Sequence, residues 1–597
     1  MRGPLSTGRP GPPDVPASDG VDRTRPPERD DVPGVCATDR SRRAATFTGT
    51  RRGVVPPATV RTPGAPPDRR AAAASRPCAL LPARHRVHRV DGRARRVRPG
   101  PRARARTGPR GWEQLRAVPA APPPPGSPRS RPKEARPMAT TRAVVLGAGI
   151  AGLLAARVLA DHVGEVLLVE RDRLPQGPRE RSGTPQGRHT HVLLSGGAHA
   201  VDHLLPGVTD ELLGLGAQRV GVPDRMLVLL PAGWVSRFPE AQFVLSASRA
   251  LVEHVVRERV LADERVHLLE STDATGLLGG PERVTGVLVR DRRDGRTGRV
   301  AADYVVDATG HRSAAPVWLS ALGARPPAEE HVDPGEFYST RLYAGRSDAP
   351  AVTVLPDPDH PAQVRSGLLC PIEGDRWSVT LVGTREQRPP TDEEAFARCA
   401  GRLRHPVIGD LIADARPLGP PRGLRSPANR RLRFREADGW PEGFVVLGDA
   451  ACTLNPVHGQ GMALAALGAV AFSEALGERG IRYGAARAQR AVERVSRGAW
   501  GVATGLDLRF PATTGPRPGA WGRAVARVLD RVHFAATGSP VVARAWLDVR
   551  ALVEPPRSLL RPRVLVAAAR GPLHPPQANP PLRPWELPHS AVRVLPG

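Results

Sequence analysis

Short apolar runs broken by glycine turns recur along this chain, and the helical periods between them predict an alternating strand–helix order. Ala143–Leu146 has the length of a buried parallel strand. An apolar helical pattern follows a glycine turn and runs to about Ala160, and a second apolar run, Val166–Val169, ends on Glu170. Residues 198–217 predict a helix, while 226–247 alternate and carry Trp234 and Phe238, as antiparallel strands of another layer would. Ser248 opens a helical pattern to Ala262 as its N-cap, with Arg249 in the first turn. Runs 284–290 and 299–306 predict strands around the turn DRRDGRTG, the second leading into YVVDATGHRS. Segments 335–345 and 366–383 alternate like a mixed or antiparallel sheet, and 386–430 reads as helical and loop-like. Phe444–Leu447 predicts a buried strand, a helix opens near Gly461, 477–570 reads as helical, and 571–597 as a poorly ordered Pro-rich tail. The predicted fold class is α/β: a Rossmann-like domain with an interleaved mixed β-sheet domain and C-terminal helices.

Composition changes this picture at the N-terminus. The 597 residues carry a formal charge of +28, which by itself would suggest nucleic acid or an anionic membrane. Residues 1–137 hold 30 of the basic and 11 of the acidic residues, a balance of +19, and 26 of the 67 prolines, so the remainder is only mildly basic. This segment shows no sustained periodicity and cannot offset its ordering entropy by apolar burial, so it predicts a disordered extension, or a start assigned upstream of Met138. Arginine is nearly the sole base, as the codon usage of a GC-rich genome would give. A nucleic-acid-binding tail is the competing reading; few aromatics and no compact basic block stand against it, and no nucleic-acid partner is expected. The five cysteines have neither zinc nor disulfide spacing, and no apolar run reaches transmembrane length, which predicts a soluble cytoplasmic protein.

The chemistry concentrates at the glycine turns. Gly147, Gly149 and Gly152 have the G-x-G-x-x-G spacing between a strand and a helix. The first allows the tight turn, the second lets backbone approach a pyrophosphate, and the third lets helix pack on strand. Glu170 follows where an acid can accept hydrogen bonds from an adenosine ribose. Arg188, beside His189 and His191, and Arg249 at its helix entry can reach cofactor phosphate or ribityl oxygens. The two histidines lack a third partner at metal spacing, so no metal site is expected. Asp307 and Gly310 stand just past a strand, where ligands bind in such sheets. In GFVVLGDAACTLNPVHGQGM, Asp449 at a strand end can hold a sugar-alcohol hydroxyl. The glycine loop to Gly461 offers a helix N-terminus to the negative edge of a reduced flavin.

GAGIAG with Glu170, VVDATG and GDAACTLNPVHGQGM, in that order, resemble the group A, aromatic-hydroxylase-like FAD-dependent monooxygenases. TPQGRHTHVLLSGG, RFPEAQFVLSASRALVEHVVRE and DRWSVTLVG are most similar to flavin-dependent epoxidases of polyether ionophore assembly. The resemblance runs from Met138 to the 560s. It implies cofactor-binding parts at about 138–215, 248–312 and 436–476, substrate parts at about 216–247 and 313–435, and helices over 477–570. It also implies that the three glycines and Glu170 bind the ADP half of FAD, with Arg188, Arg249 and Asp307 near the cofactor. Asp449 would meet the ribityl chain, and Pro456, Gly459, Gly461 and Met462 would border the isoalloxazine. Where the aromatic hydroxylases read Asp-Gly, this chain reads DATG, which separates Asp307 from their nicotinamide role. The implied reaction is epoxidation of a polyketide or polyene alkene through a flavin C4a-hydroperoxide, with no catalytic acid or base. Dioxygen is the co-substrate, NAD(P)H or a partner flavin reductase the electron source, and the substrate a small apolar molecule, free or carrier-bound. Aromatic hydroxylation and a geranylgeranyl-reductase-like saturase are the alternatives; the W-x-W-x-I-P element of halogenases is absent.

Overall fold

The runs at 143–146, 166–169 and 444–447 and the end of 299–306 become strands of one parallel sheet, while 284–290 and the start of 299–306 pair antiparallel in a separate three-stranded sheet with Thr272–Gly279. In the computed structural model, which describes residues 141–360, 363–434, 439–481 and 484–586, the parallel sheet has five strands. Their order is Phe444–Val446, Tyr304–Asp307, Arg142–Leu146, Glu165–Val169 and Val266–Leu269, all paired in parallel. The first helix, Ile150–Ala160, and the later helix Gly461–Arg479 pack over it, and Leu153, Leu154, Val305 and Phe472 are buried in the shared core. The reading of residues 1–137 lies outside the described residues.

A seven-stranded mixed sheet forms the second layer. Its order is Arg422–Arg425, Phe337–Ala344, Arg376–Gly383, Ser366–Ile372, Ala351–Val354, Met226–Leu230 and Gly233–Trp234. All neighbours are antiparallel except Ala351–Val354 on Met226–Leu230. One face packs on helices Glu393–Ala400 and Val407–Ile412 through Leu227, Val379, Leu381 and Phe396. The other face carries Met226, Val228 and Cys370 and meets the helices Ala520–Ala536 and Pro540–Arg550 through Val532, Val542 and Trp546.

The structure departs from the sequence pattern at identifiable residues. The helix expected over 198–217 is two, Ser195–Leu204 and Val208–Gly214, because Pro206 interrupts it and Gly207 turns left-handed at φ +83°. The alternating stretch 226–247 divides between sheets: Gln242–Ser246 pairs with Val192–Leu194 and Gln218–Val222 instead. Within 386–430, Arg422–Arg425 is a strand and Asn429 and Arg430 begin another, Asn429–Arg433, both held by pairing with earlier segments. Residues 571–586 are not a loose tail. Gln577 and Ala578 accept hydrogen bonds from the backbone and indole N–H of buried Trp234, and Glu586 pairs with Arg237.

Candidate cofactor site

The glycine turn is shaped by what a side chain would strike. Gly147 takes φ +93°, and a Cβ there would lie 2.7 Å from the Ala308 carbonyl oxygen. A Cβ on Gly152 would lie 1.7 Å from the Gly147 oxygen, so only glycine lets the helix close on the turn. Gly149 differs: nothing stands nearer its Cβ position than the Arg181 guanidinium at 3.9 Å. This is the open side, where Gly149 opens the helix without a side-chain cap and leaves N–H donors for a ligand.

Glu170 sits at the end of the second strand, 4% exposed. One carboxylate oxygen accepts from Ala148 N at 2.7 Å and lies 3.1 Å from Arg181; the other accepts from Asp172 N at 2.9 Å. The carboxylate therefore fixes the turn, and the oxygen bonded only to Asp172 N keeps a lone pair for a further donor.

Arg181 is buried at the centre of a group of carboxylates. It bonds Glu253 at 2.6 Å, faces Glu170 and Asp172, and donates to the Ala148 carbonyl. Burial works against its charge, but the carboxylates around it raise its pKa. Arg188, expected near the cofactor, instead lies 44% exposed and pairs with Glu180 at 3.0 Å. Its 3₁₀ turn, Pro185–Arg188, directs it outward. Arg249 does occupy the interior, bonded to Glu253 at 3.2 Å on a helix capped by Ser248, whose hydroxyl accepts from Leu251 N. Its charge adds to the burial that lowers His191 and partly offsets the burial that raises Asp449.

Asp307 is wholly buried and turned into its own loop. Its carboxylate accepts from Thr309 N at 2.9 Å, Thr309 Oγ1 at 2.6 Å and Ser313 Oγ at 2.5 Å. Thr309, one of the two residues that separate DATG from Asp-Gly, and Ser313 beyond it supply that closure, so the Asp307 carboxylate builds its own turn.

Asp449 is the reverse. It is half-buried, burial raises its pKa, and its side chain has no hydrogen-bond partner among the described residues. A Cβ on Gly461 would lie 3.7 Å from its Oδ1, which sets the carboxylate at the uncapped start of the helix Gly461–Arg479. Gly448, at φ +65°, lets this turn approach the first helix, for a Cβ there would lie 2.6 Å from the Ala151 methyl. Pro456 opens the preceding 3₁₀ turn, Gly459 closes it at φ +66°, and Met462 is buried behind it.

Beside this loop, His189 Nδ1 meets Thr340 Oγ1 at 2.8 Å. From there a hydroxyl chain runs through Thr380 and Thr190 to Ser378, each step 2.6 to 2.8 Å. Burial first, then Arg188 for His189 and Arg249 for His191, lowers both imidazoles to about 4, so they are neutral at pH 7. Among the described residues no group of three metal-capable side chains occurs, and no helix is long and apolar enough to cross a membrane.

Two uncapped helix starts, an open glycine and a partnerless carboxylate fit an elongated dinucleotide: anionic in the middle, hydroxylated beside it, and bearing an electron-accepting ring at one end. FAD has that shape. The FAD binding domain family matches residues 140–480, and the chain belongs to it. It is an FAD-dependent oxidoreductase of the monooxygenase type. Protein Rv3254 of Mycobacterium tuberculosis is 33% identical over 426 residues, covering 68% of this chain and 88% of that protein. Kynurenine 3-monooxygenase of Salinispora arenicola is 27% identical over 369 residues, 59% of this chain and 76% of the relative. The crystal structure of a flavoprotein/dehydrogenase from Cytophaga hutchinsonii shares the fold, with a TM-score of 0.52 at 15% identity, covering 72% of this chain and 98% of that one.

Sequence reasoning missed Arg181 and its partner Glu253. The i,i+4 spacing of Arg249 and Glu253 was visible, but nothing distinguished Arg181 from Arg179 or Arg188.

Proposed function

We propose that this enzyme inserts one atom of dioxygen into a carbon–carbon double bond of an extended polyketide or polyene, giving an epoxide. Bound and reduced, FAD would supply the electrons that activate dioxygen. Gly147, Gly149, Gly152 and the first helix start would hold its pyrophosphate, Glu170 and Arg249 its flanks, and Asp449 its ribityl hydroxyls. Pro456, Gly459, Gly461 and Met462 would border the ring. Electrons come from NAD(P)H or a partner flavin reductase, which NAD(P)H consumption by the purified chain separates.

The observation that supports an apolar substrate is the apolar make-up of the sheet face bearing Met226, Val228 and Cys370 and of the helices Ala520–Ala536 and Pro540–Arg550 that cover it. The same face is not apolar throughout: register places Thr340, Thr380 and Ser378 on it, so the substrate would be apolar along one part and oxygenated at the other. Incubation with a trisubstituted-alkene polyketide analogue, reduced FAD and labelled dioxygen should give an epoxide carrying one labelled atom. A saturated product, or a hydroxylated ring with intact alkenes, overturns the reading. Aromatic hydroxylation is the second reading. It is favoured by neutral His189, which could accept a proton from a ring substituent, and by the likeness to kynurenine 3-monooxygenase.

A further inference from the structure

The loop Asn455–Gln460 is gripped from behind by a buried polar network, part of which comes from helices beyond the family-matched residues. Asp507 ends the helix Ala485–Asp507. One of its oxygens accepts from Asn429 Nδ2 at 2.7 Å, and the other meets His458 Nε2 at 3.0 Å. Arg550, from Pro540–Arg550, donates to the His458 carbonyl at 3.4 Å, and its own carbonyl accepts from Gln460 Nε2 at 3.3 Å. Asn455 spends both N–H groups on carboxylates: Glu336 at 2.9 Å and Asp507 at 3.4 Å. Its amide oxygen accepts from Tyr338 at 2.9 Å and Ser426 at 3.2 Å.

A loop needing only shape could be packed with apolar side chains at less desolvation cost. Here two carboxyl groups share one amide behind the segment that would touch the electron-accepting ring. Fixed charge at that depth acts differently on an oxidised and a reduced, anionic ring. We infer that Asp507 and Glu336 are positioning residues that hold the Asn455–Gln460 loop against the flavin and bias its affinity between the oxidised and reduced forms. This rests on the reading that the loop borders the isoalloxazine. Burial, and then the charge of Asp507, raises Glu336 to about 8, so near neutral pH one carboxyl of the pair keeps its proton. The other titratable groups facing the pair are Tyr338, His458 and Arg550.

The test measures the dissociation constants of oxidised and reduced FAD in the full chain between pH 6.5 and 9.5, with melting temperature recorded beside them. Asp507→Asn should change the ratio of the two constants about tenfold toward the reduced form, and Asp507→Glu should restore part of it. In the unaltered protein the ratio should move toward the oxidised form as pH rises through about 8. Glu336→Gln, which keeps an acceptor for Asn455, should abolish that movement, and it carries the test if Asp507→Asn fails to fold. A lowered melting temperature with the ratio and its pH dependence within threefold of the unaltered protein overturns the inference. Failure of the unaltered protein to bind FAD overturns the underlying reading of the site instead.

Discussion

Arg181 and Arg188, seven residues apart on one polar loop, show how much a side chain's surroundings decide. Arg181 lies between Glu170 and Glu253, all nearly buried, so Arg181→Ala would leave Glu170 without its counter-charge in the interior and Glu253 with Arg249 alone. A loss of about 3–5 kcal/mol in unfolding free energy is expected, as for other broken buried pairs. Arg188→Ala removes one exposed pair and should cost under about 1 kcal/mol, with FAD affinity little changed. Urea unfolding of both variants checks this; equal effects would mean the burial difference is immaterial. The histidines supply a pH prediction of definite sign. His189 and His191 titrate near 4 in the fold but near 6.5 unfolded, so the unfolded chain binds more protons in between, and their contribution is lost as pH falls from about 6.5 to 4. Glu336, raised to about 8, acts oppositely, and its contribution fades as pH rises from about 4.5 to 8. The melting temperature of His191→Gln should accordingly fall less than that of the parent on acidification, and that of Glu336→Gln less on going alkaline. Parallel curves would refute both assignments.

At the level of elements, the strand–turn–helix unit was the most legible part of the chain. Its constraints are local: the Gly152 position admits no Cβ because the Gly147 oxygen is 1.7 Å away, and the spacing alone announces this. Gly152→Val should therefore prevent folding. Gly149→Val, where the nearest neighbour is 3.9 Å away, should fold but bind FAD roughly 5- to 150-fold more weakly, the loss of about 1–3 kcal/mol of polar contact. Thermal melts with flavin titration would separate the two, and identical behaviour would remove the distinction between packing and ligand approach. What was illegible depends on pairing across long separations. Met226–Leu230, MLVLL, is an unbroken apolar run buried on both faces beside Ala351–Val354, and reading it as part of an alternating stretch hid that it is a two-sided central strand. Asn429–Arg433 is strand because Ala328–Val332 and Cys452–Thr453 flank it, not because NRRLR favours strand. Asp307 was illegible for a different reason: its partners Thr309 and Ser313 are near in sequence, but which way the carboxylate turns depends on how the loop closes.

For the molecule as a whole, the five-stranded parallel sheet and the seven-stranded sheet are anchored by different parts of the chain, and truncation should separate them. A chain starting at Met138 retains the first strand from Arg142 and sheds a segment of charge +19, so its flavin content should equal that of the full chain. Aggregation or flavin loss on that truncation would give the N-terminal segment a structural role. The other end should behave differently. Trp234, fully buried, donates its indole N–H to Ala578 at 3.2 Å, and the Arg237–Glu586 pair closes the same corner with Arg583 on Asp224. These contacts anchor the edge strand Gly233–Trp234 of the seven-stranded sheet, while the cofactor turns at Gly147–Gly152 and Asp449–Gly461 draw on other elements. Ending the chain at Arg570 uncovers Trp234 and leaves Arg237 without its buried carboxylate, a loss of about 3–5 kcal/mol. The expected result is a protein with a lower melting temperature and weakened turnover of a bulky substrate, whose FAD dissociation constant stays within about threefold of the parent's. Loss of FAD at the same temperature and denaturant concentration as loss of turnover would mean that the two sheets unfold as one unit. The division between a locally encoded parallel sheet and a seven-stranded sheet anchored from the far end of the chain would then be wrong.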